Sequence, residues 1–231
     1  MIVASAGQGL VAGTLLARDN RFLARVRVGG REALAHVPNP GRMTELMIPG
    51  RTVHLRPAPG GTRKTAWDLL AIDHDGLWVC LDNRFGGRLA GLALAAHAID
   101  GLPPYRAVRA EVKSGHSRLD YYLDAEPPTW LEVKSCTLVV DGRGLFPDAP
   151  TVRGTRHLTE LTELARTCGA AVLFVIQRPD AVSLAPHDAT DPAFGAALRN
   201  AEAAGVRLLA RRCVWSTEGL RLAEAVPVLT A

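Results

Sequence analysis

Three side chains have the types and spacing for chemistry on phosphate esters. Glu132 and Lys134 stand two apart in Trp130-Leu131-Glu132-Val133-Lys134-Ser135, which reads as a strand. Residues at i and i+2 of a strand share a face, so this carboxylate and ammonium project together while Leu131 and Val133 face the other way. Asp120 sits in a second strand pattern, Ser117-Arg118-Leu119-Asp120-Tyr121-Tyr122-Leu123, and Pro127-Pro128 marks a turn between the two. That hairpin sets Asp120 roughly opposite 132–133, with two carboxylates and one ammonium on one side of a sheet. Two hard oxygen ligands suit Mg²⁺ or Mn²⁺, which leaves its other positions to water and phosphate. A lysine there positions an attacking water or balances charge at phosphorus. The same residues also fit a cross-strand ladder of ion pairs, and spacing alone does not choose between the two.

Composition supports Lys134 independently. Of 27 basic residues only Lys64, Lys113 and Lys134 are lysines, so a lysine that persists marks a place for a compact ammonium. Downstream, a helix expected over Thr151 to Cys168 puts Arg153, His157 and Glu160 at i, i+4 and i+7, one stripe with Arg156 beside it. Such a stripe could meet a scissile phosphate, with His157 as proton donor to the leaving oxygen, or form a solvated charged face. Arg21, Arg42, Arg63 and Lys64 lie in or beside turns of the first third, where a small barrel would present them to nucleic acid. Phe22 and Trp67 are candidates for stacking there, with core packing the reading preferred for both.

The elements that must position these groups fall into two textures. Up to about residue 84 the chain shows short β-runs broken by Pro/Gly segments, which predicts a small OB-like barrel. The loop Pro57 to Thr65 is expected to be mobile. From 85 onward the pattern is a helix over 88–99, three strands turning at Gly115-His116 and Pro127-Pro128, and the helix from 151. A doubly buried strand Ala171 to Ile176, a helix over 191–204 and a strand Val206 to Val214 complete it. The fold class is therefore α+β in two domains: 1–84 a basic barrel, and 85–231 an α/β mixed sheet flanked by helices. Residues 194–212 could also be read as helix-turn-helix, but Val206 to Val214 reads better as strand.

Length and composition narrow the classes further. The 231 residues are 48% hydrophobic and 22% charged, with net charge +4. That mix excludes intrinsic disorder, and no apolar run is long enough for a membrane span. All of the surplus lies in residues 1–86, with 11 basic against 7 acidic, while 87–231 balance at 16 each. Four scattered cysteines (Cys80, Cys136, Cys168, Cys213) match no zinc or disulfide spacing and read as buried thiols of a reducing compartment. The N-terminal charge order is wrong for a signal peptide, so a cytoplasmic protein is expected. Arg63-Lys64-Thr65 lacks the glycines of a P-loop, and Ser114, His116 and Ser117 lack a nucleophile elbow.

The Asp…Glu-x-Lys spacing is the signature of PD-(D/E)xK nucleases. Along nearly its whole length the chain resembles the bacterial and archaeal sugar fermentation stimulation protein A family. The resemblance rests on Asn20-Arg21-Phe22, Ala35 to Met43, Arg63-Lys64-Thr65, Ser117 to Asp120, Glu132 to Ser135, Phe146 to Ala149 and Arg153 to Leu158. It implies an OB-like domain, a PD-(D/E)xK-like restriction-endonuclease-type domain, non-specific DNA binding and a role in regulating sugar (maltose) use. It also implies a glutamate in the helix after the barrel. Here that place is Leu92, in Leu92-Ala93-Leu94, and Glu111 of the adjoining strand is the substitute acid. The expected catalytic set is Asp120, Glu132, Lys134, Glu111 and His157, with metal on Asp120 and Glu132. DNA is expected to meet Arg21, Arg42, Arg63, Lys64, Arg153 and Arg156. Two functional readings stay open: a Mg²⁺- or Mn²⁺-dependent DNA phosphodiesterase, or a catalytically silent DNA-binding regulator.

Overall fold

The computed structural model describes residues 1–58, 63–114 and 117–231. The expected loop 57–65 falls partly, and the turn at Gly115-His116 wholly, outside the described residues. A short strand β1 (Val3–Ser5) comes first. Then follow β2 (Val11–Asn20), β3 (Leu23–Val28), β4 (Arg31–His36), β5 (Thr52–Pro57), β6 (Trp67–His74) and β7 (Leu77–Cys80). In β3, Ala24 and Val26 are buried while Arg25 and Arg27 are exposed, the alternation of a strand with one wet face. The order β4-β3-β2-β5-β6 closes into a five-stranded barrel where Ala35 pairs with Trp67 and His36 with Asp68. Leu15, Val26, Val53, Leu55, Leu69 and Ile72 fill it, and Met43 and Leu46 of the loop after β4 are buried in the same core.

The second unit begins with α1 (Arg84–Ala95) and a meander of β8 (Tyr105–Ser114), β9 (Ser117–Ala125) and β10 (Thr129–Cys136). The small strands β11 (Val139–Val140) and β12 (Arg143–Phe146) lead to α2 (Val152–Leu164) and β13 (Gly169–Ile176). Last come β14 (Ser183–Pro186), α3 (Pro192–Ala203), β15 (Arg207–Ser216) and β16 (Gly219–Val226). One mixed sheet has the order β1-β16-β15-β13-β10-β9-β8. Beneath one face α1 buries Phe85, Leu89 and Leu94 against Leu131, Leu173 and Trp215. On the other, α2 and α3 bury Leu158, Leu161, Phe194 and Leu198 against Val172, Phe174 and Ile176. Strand β13 is thus covered on both faces, as its unbroken apolar run requires. The segment after Gly205 is strand, not a second helix of a helix-turn-helix.

Three features depart from the expectation. Strand β1 joins the second sheet through Ala4–Leu220, although it lies within residues 1–84. Helix α1 starts four residues before 88, with Gly86 and Gly87 inside its first turns, and ends at Ala95. A Cβ on Gly86 would lie 2.1 Å from Ser135 Oγ, so the glycine lets the helix rest directly on β10. Strands β11, β12 and β14 form a separate three-stranded sheet that puts Phe146 to Asp148 beside the barrel. No described helix is long and apolar enough to cross a membrane.

Candidate functional site

Strands β9 and β10 pair from Leu123–Thr129 to Tyr121–Leu131 and then separate. Past that point Asp120 Oδ2 accepts from the Val133 backbone N–H at 2.8 Å, replacing the lost ladder partner. The carboxylate is thereby fixed beside Glu132. Glu132 is buried at 3% exposure, and its Oε1 accepts from Lys134 Nζ at 2.6 Å and meets His157 Nδ1. Its Oε2 is buried without a hydrogen-bond partner among the described residues. A native carboxylate oxygen left so is an opening for a ligand that the protein itself does not supply.

Electrostatics divides the two acids. Burial, then the neighbouring Glu132 charge, pushes Asp120 up to about 6. Burial alone would raise Glu132 too, but the His157 hydrogen bond and the Lys134 ammonium outweigh it and hold Glu132 below its ordinary range. Glu132 is therefore matched internally, whereas at Asp120 burial and the Glu132 charge outweigh the Val133 hydrogen bond and the Lys134 ammonium. A divalent cation suits this pair: hard oxygens, two carboxylates and one open buried lone pair. Among the described residues no third His, Cys, Asp or Glu completes a larger cluster.

These groups lie in a cleft of about 940 Å³ between the barrel and the second unit. Arg18, Arg21 and Arg42 border it from the barrel, Asp120, Glu132 and Lys134 from the sheet, and Arg153 from the start of α2. Arg21, Arg42 and Arg153 are exposed and free to meet an anion. The structure does not bring Arg63, Lys64 or Arg156 to this cleft. Arg63 donates to the buried Asp68 at 2.8 Å, with Arg56 and Arg84 each at 3.4 Å from the same carboxylate. Arg63 is thus a clamp on Asp68; Lys64 and Arg156 are exposed elsewhere.

Two expected catalytic residues sit differently from the sequence reading. His157 is 1% exposed, with Nδ1 on Glu132 and Nε2 taking the Arg153 Nε–H at 3.4 Å, so it stands behind Glu132. It orients the carboxylate and does not face a leaving oxygen. Glu111 faces solvent, 3.8 Å from Arg118, and does not border the cleft. Its backbone has φ +54 inside β8, between the pairs Ala110–Tyr121 and Val112–Leu119, so its register position is across from Asp120. Leu92 is 46% exposed on α1.

Sequence reasoning missed Arg18 and Asp148. Arg18 Nη2 donates to the Gly41 carbonyl at 2.8 Å and the Arg21 carbonyl at 2.9 Å, and Nη1 to the Arg42 carbonyl. It ties the turns carrying Arg21 and Arg42 into one unit. Asp148 Oδ2 accepts from Met43 N at 2.8 Å and joins the same loop to the second unit. The Arg18 bonds to Gly41 and Arg42 and the Asp148 bond to Met43 are long-range, so local spacing carries no signal for them. Asp148 does fall in the motif Phe146-Pro147-Asp148-Ala149.

Comparison with known proteins agrees with this architecture. The family model of the SfsA N-terminal OB domain matches residues 16–81, and that of the sugar fermentation stimulation protein RE domain matches 85–219. A sugar fermentation stimulation protein homolog of Moorella thermoacetica is 47% identical over 208 residues, covering 88% of this chain and 90% of its own. The homolog from Methanothermobacter thermautotrophicus is 40% identical, covering 90% and 88%. Among solved structures, that of Pyrococcus furiosus SfsA in complex with Ca²⁺ superposes with a TM-score of 0.89 at 30% identity, covering 99% of each chain. With the barrel matched over residues 16–81 and the mixed-sheet unit over 85–219, the chain belongs to the sugar fermentation stimulation protein family.

Proposed function

We propose that this chain binds DNA without sequence specificity and hydrolyses its phosphodiester bonds with a divalent metal, Mg²⁺ or Mn²⁺, in the cytoplasm. The family name adds a role in the regulation of sugar use. In this reading residues 1–84 grip the polyanion and 85–231 carry the hydrolytic site. The observation that supports it most is the pairing of Asp120 with Glu132 at the cleft, one oxygen of Glu132 buried without a partner. The related SfsA solved with Ca²⁺ supports a divalent ion as ligand.

Asp120 and Glu132 would hold the metal, which supplies charge neutralisation at the phosphate. Lys134 keeps Glu132 ionised and presents an ammonium toward developing negative charge. His157 holds Glu132 in orientation from behind. Arg21, Arg42 and Arg153 hold the flanking phosphates, contacts that position the strand and read no sequence.

A second reading is a catalytically silent DNA-binding regulator. It is favoured by Leu92 in place of an acid and by the lack of a third clustered ligand among the described residues. Supercoiled plasmid incubated with Mn²⁺ separates the two. Nicking by the wild type that is lost in Glu132→Ala and in Lys134→Ala supports hydrolysis at this site. Salt-sensitive binding with no nicking by the wild type supports the silent regulator.

A further inference from the structure

The exposed ring of Phe22 is not explained by the barrel it belongs to. The expected core role fails: Phe22 is 47% exposed and takes no part in the packed interior. Single exposed apolar side chains are common on proteins, so exposure alone carries nothing. What sets Phe22 apart is how its backbone is held and what surrounds its ring. Its N–H donates to Asn20 Oδ1 at 2.9 Å, and its carbonyl accepts from Val37 N at 2.9 Å. One ring face is backed by His36, with centroids 6.4 Å apart and planes 29° from parallel, and the His36 Nδ1 lies 3.2 Å from the Phe22 carbonyl. The preceding residues Asn20 and Arg21 border the cleft, and Arg18 fixes the Arg21 carbonyl. The result is a half-exposed aromatic ring on a backbone hydrogen-bonded at both its N–H and its carbonyl, next in the chain to Arg21, which borders a cleft with carboxylates inside.

We propose that Phe22, backed by His36, is a stacking platform for one unpaired nucleobase, so that the chain prefers single-stranded DNA to uninterrupted duplex. The inference rests on the DNA-binding reading above and adds the form of the strand. A base face is free to lie on a protein ring only when it is not sandwiched in a duplex. Arginines beside the ring hold the phosphates on either side of that base, and stacking tolerates every base, consistent with binding that ignores sequence.

The test is fluorescence anisotropy in EDTA at fixed salt, with labelled 20-mer oligo-dT and a labelled 20-bp duplex of mixed sequence. The wild type is expected to bind the single strand more tightly. Phe22→Ala and Phe22→Leu should lose single-strand affinity on the order of tenfold, the effect of losing one base–aromatic stack, and leave duplex affinity nearly unchanged. Phe22→Trp should restore single-strand affinity. Arg42→Ala should weaken both ligands and lower the salt dependence. Duplex bound as tightly as oligo-dT, or Phe22→Leu without effect on the single strand, overturns the platform. In that case loss of both ligands in Arg42→Ala leaves the DNA-binding reading standing. Wild-type protein that binds neither probe overturns both.

Discussion

At the scale of single residues, the site is built at a cost to stability. Asp120 has its carboxyl raised from an ordinary 3.8 to about 6 by burial and by Glu132. A raised acid binds its proton more tightly folded than unfolded, so its destabilising effect is absent below pH 3.8 and complete once pH rises above about 6. Asp120→Asn, which keeps an acceptor for Val133 N, should therefore stabilise the metal-free protein by up to about 3 kcal/mol at pH 8 and by almost nothing at pH 4. Urea titrations at the two pH values in EDTA check this, and a loss of stability at pH 8 would contradict it. Removing His157 acts in the opposite direction, because it takes a donor from a buried carboxylate. His157→Ala should cost about 3–5 kcal/mol, and His157→Asn, with a donor where Nδ1 stood, markedly less. Equal losses in the two variants would show that the ring matters only by its volume.

At the scale of elements, the β9–β10 hairpin was legible because a period of two is robust and Pro127-Pro128 punctuates it. That pattern alone brings Asp120 to Glu132. The stripe on α2 was legible as a stripe, and Arg153 does reach His157. Which side of the stripe is buried depends on how α2 lies on the sheet, and the spacing is silent on that. Strand β1 is three residues long and has no pattern of its own; it exists only through pairing with β16. The start of α1 is not legible in the pattern, since glycine is a poor helix former and Gly86 is required by contact with Ser135. Gly86→Ala should thus destabilise by about 1–3 kcal/mol despite its better helix propensity. Ser135→Ala in the same chain should recover most of that loss, since the next contact is at 3.3 Å. Additive effects in the double-mutant cycle would mean that the two residues do not meet.

At the scale of the whole molecule, the cleft exists because the barrel and the second unit are joined by buried, specific bonds. Gln177, fully buried, donates to the carbonyls of Cys80 and Asp82 at 3.1 Å, and Trp215 Nε1 donates to His54 at 3.0 Å. Asp148 to Met43 N is the bond nearest the cleft arginines. Asp148→Ala should lower Tm by about 2–8 °C, the effect of a net hydrogen bond of about 1–2 kcal/mol in a chain this size. It should weaken DNA binding as well, because the loop bearing Arg42 loses its anchor to the opposite wall. Unchanged DNA affinity at a lowered Tm would place the anchor's role in stability alone. The +4 surplus, all in residues 1–86, goes partly into bonds within residues 1–84, as Arg18, Arg56 and Arg63 show, and partly to the cleft.

The central claim is that Asp120 and Glu132 together hold a divalent cation. Crystals of the protein grown with Mn²⁺ and measured at the manganese absorption edge test it directly. The account predicts an anomalous peak between the Asp120 carboxylate and Glu132 Oε2 that disappears in Asp120→Asn. No peak at that position, or a peak held by other residues, would contradict it.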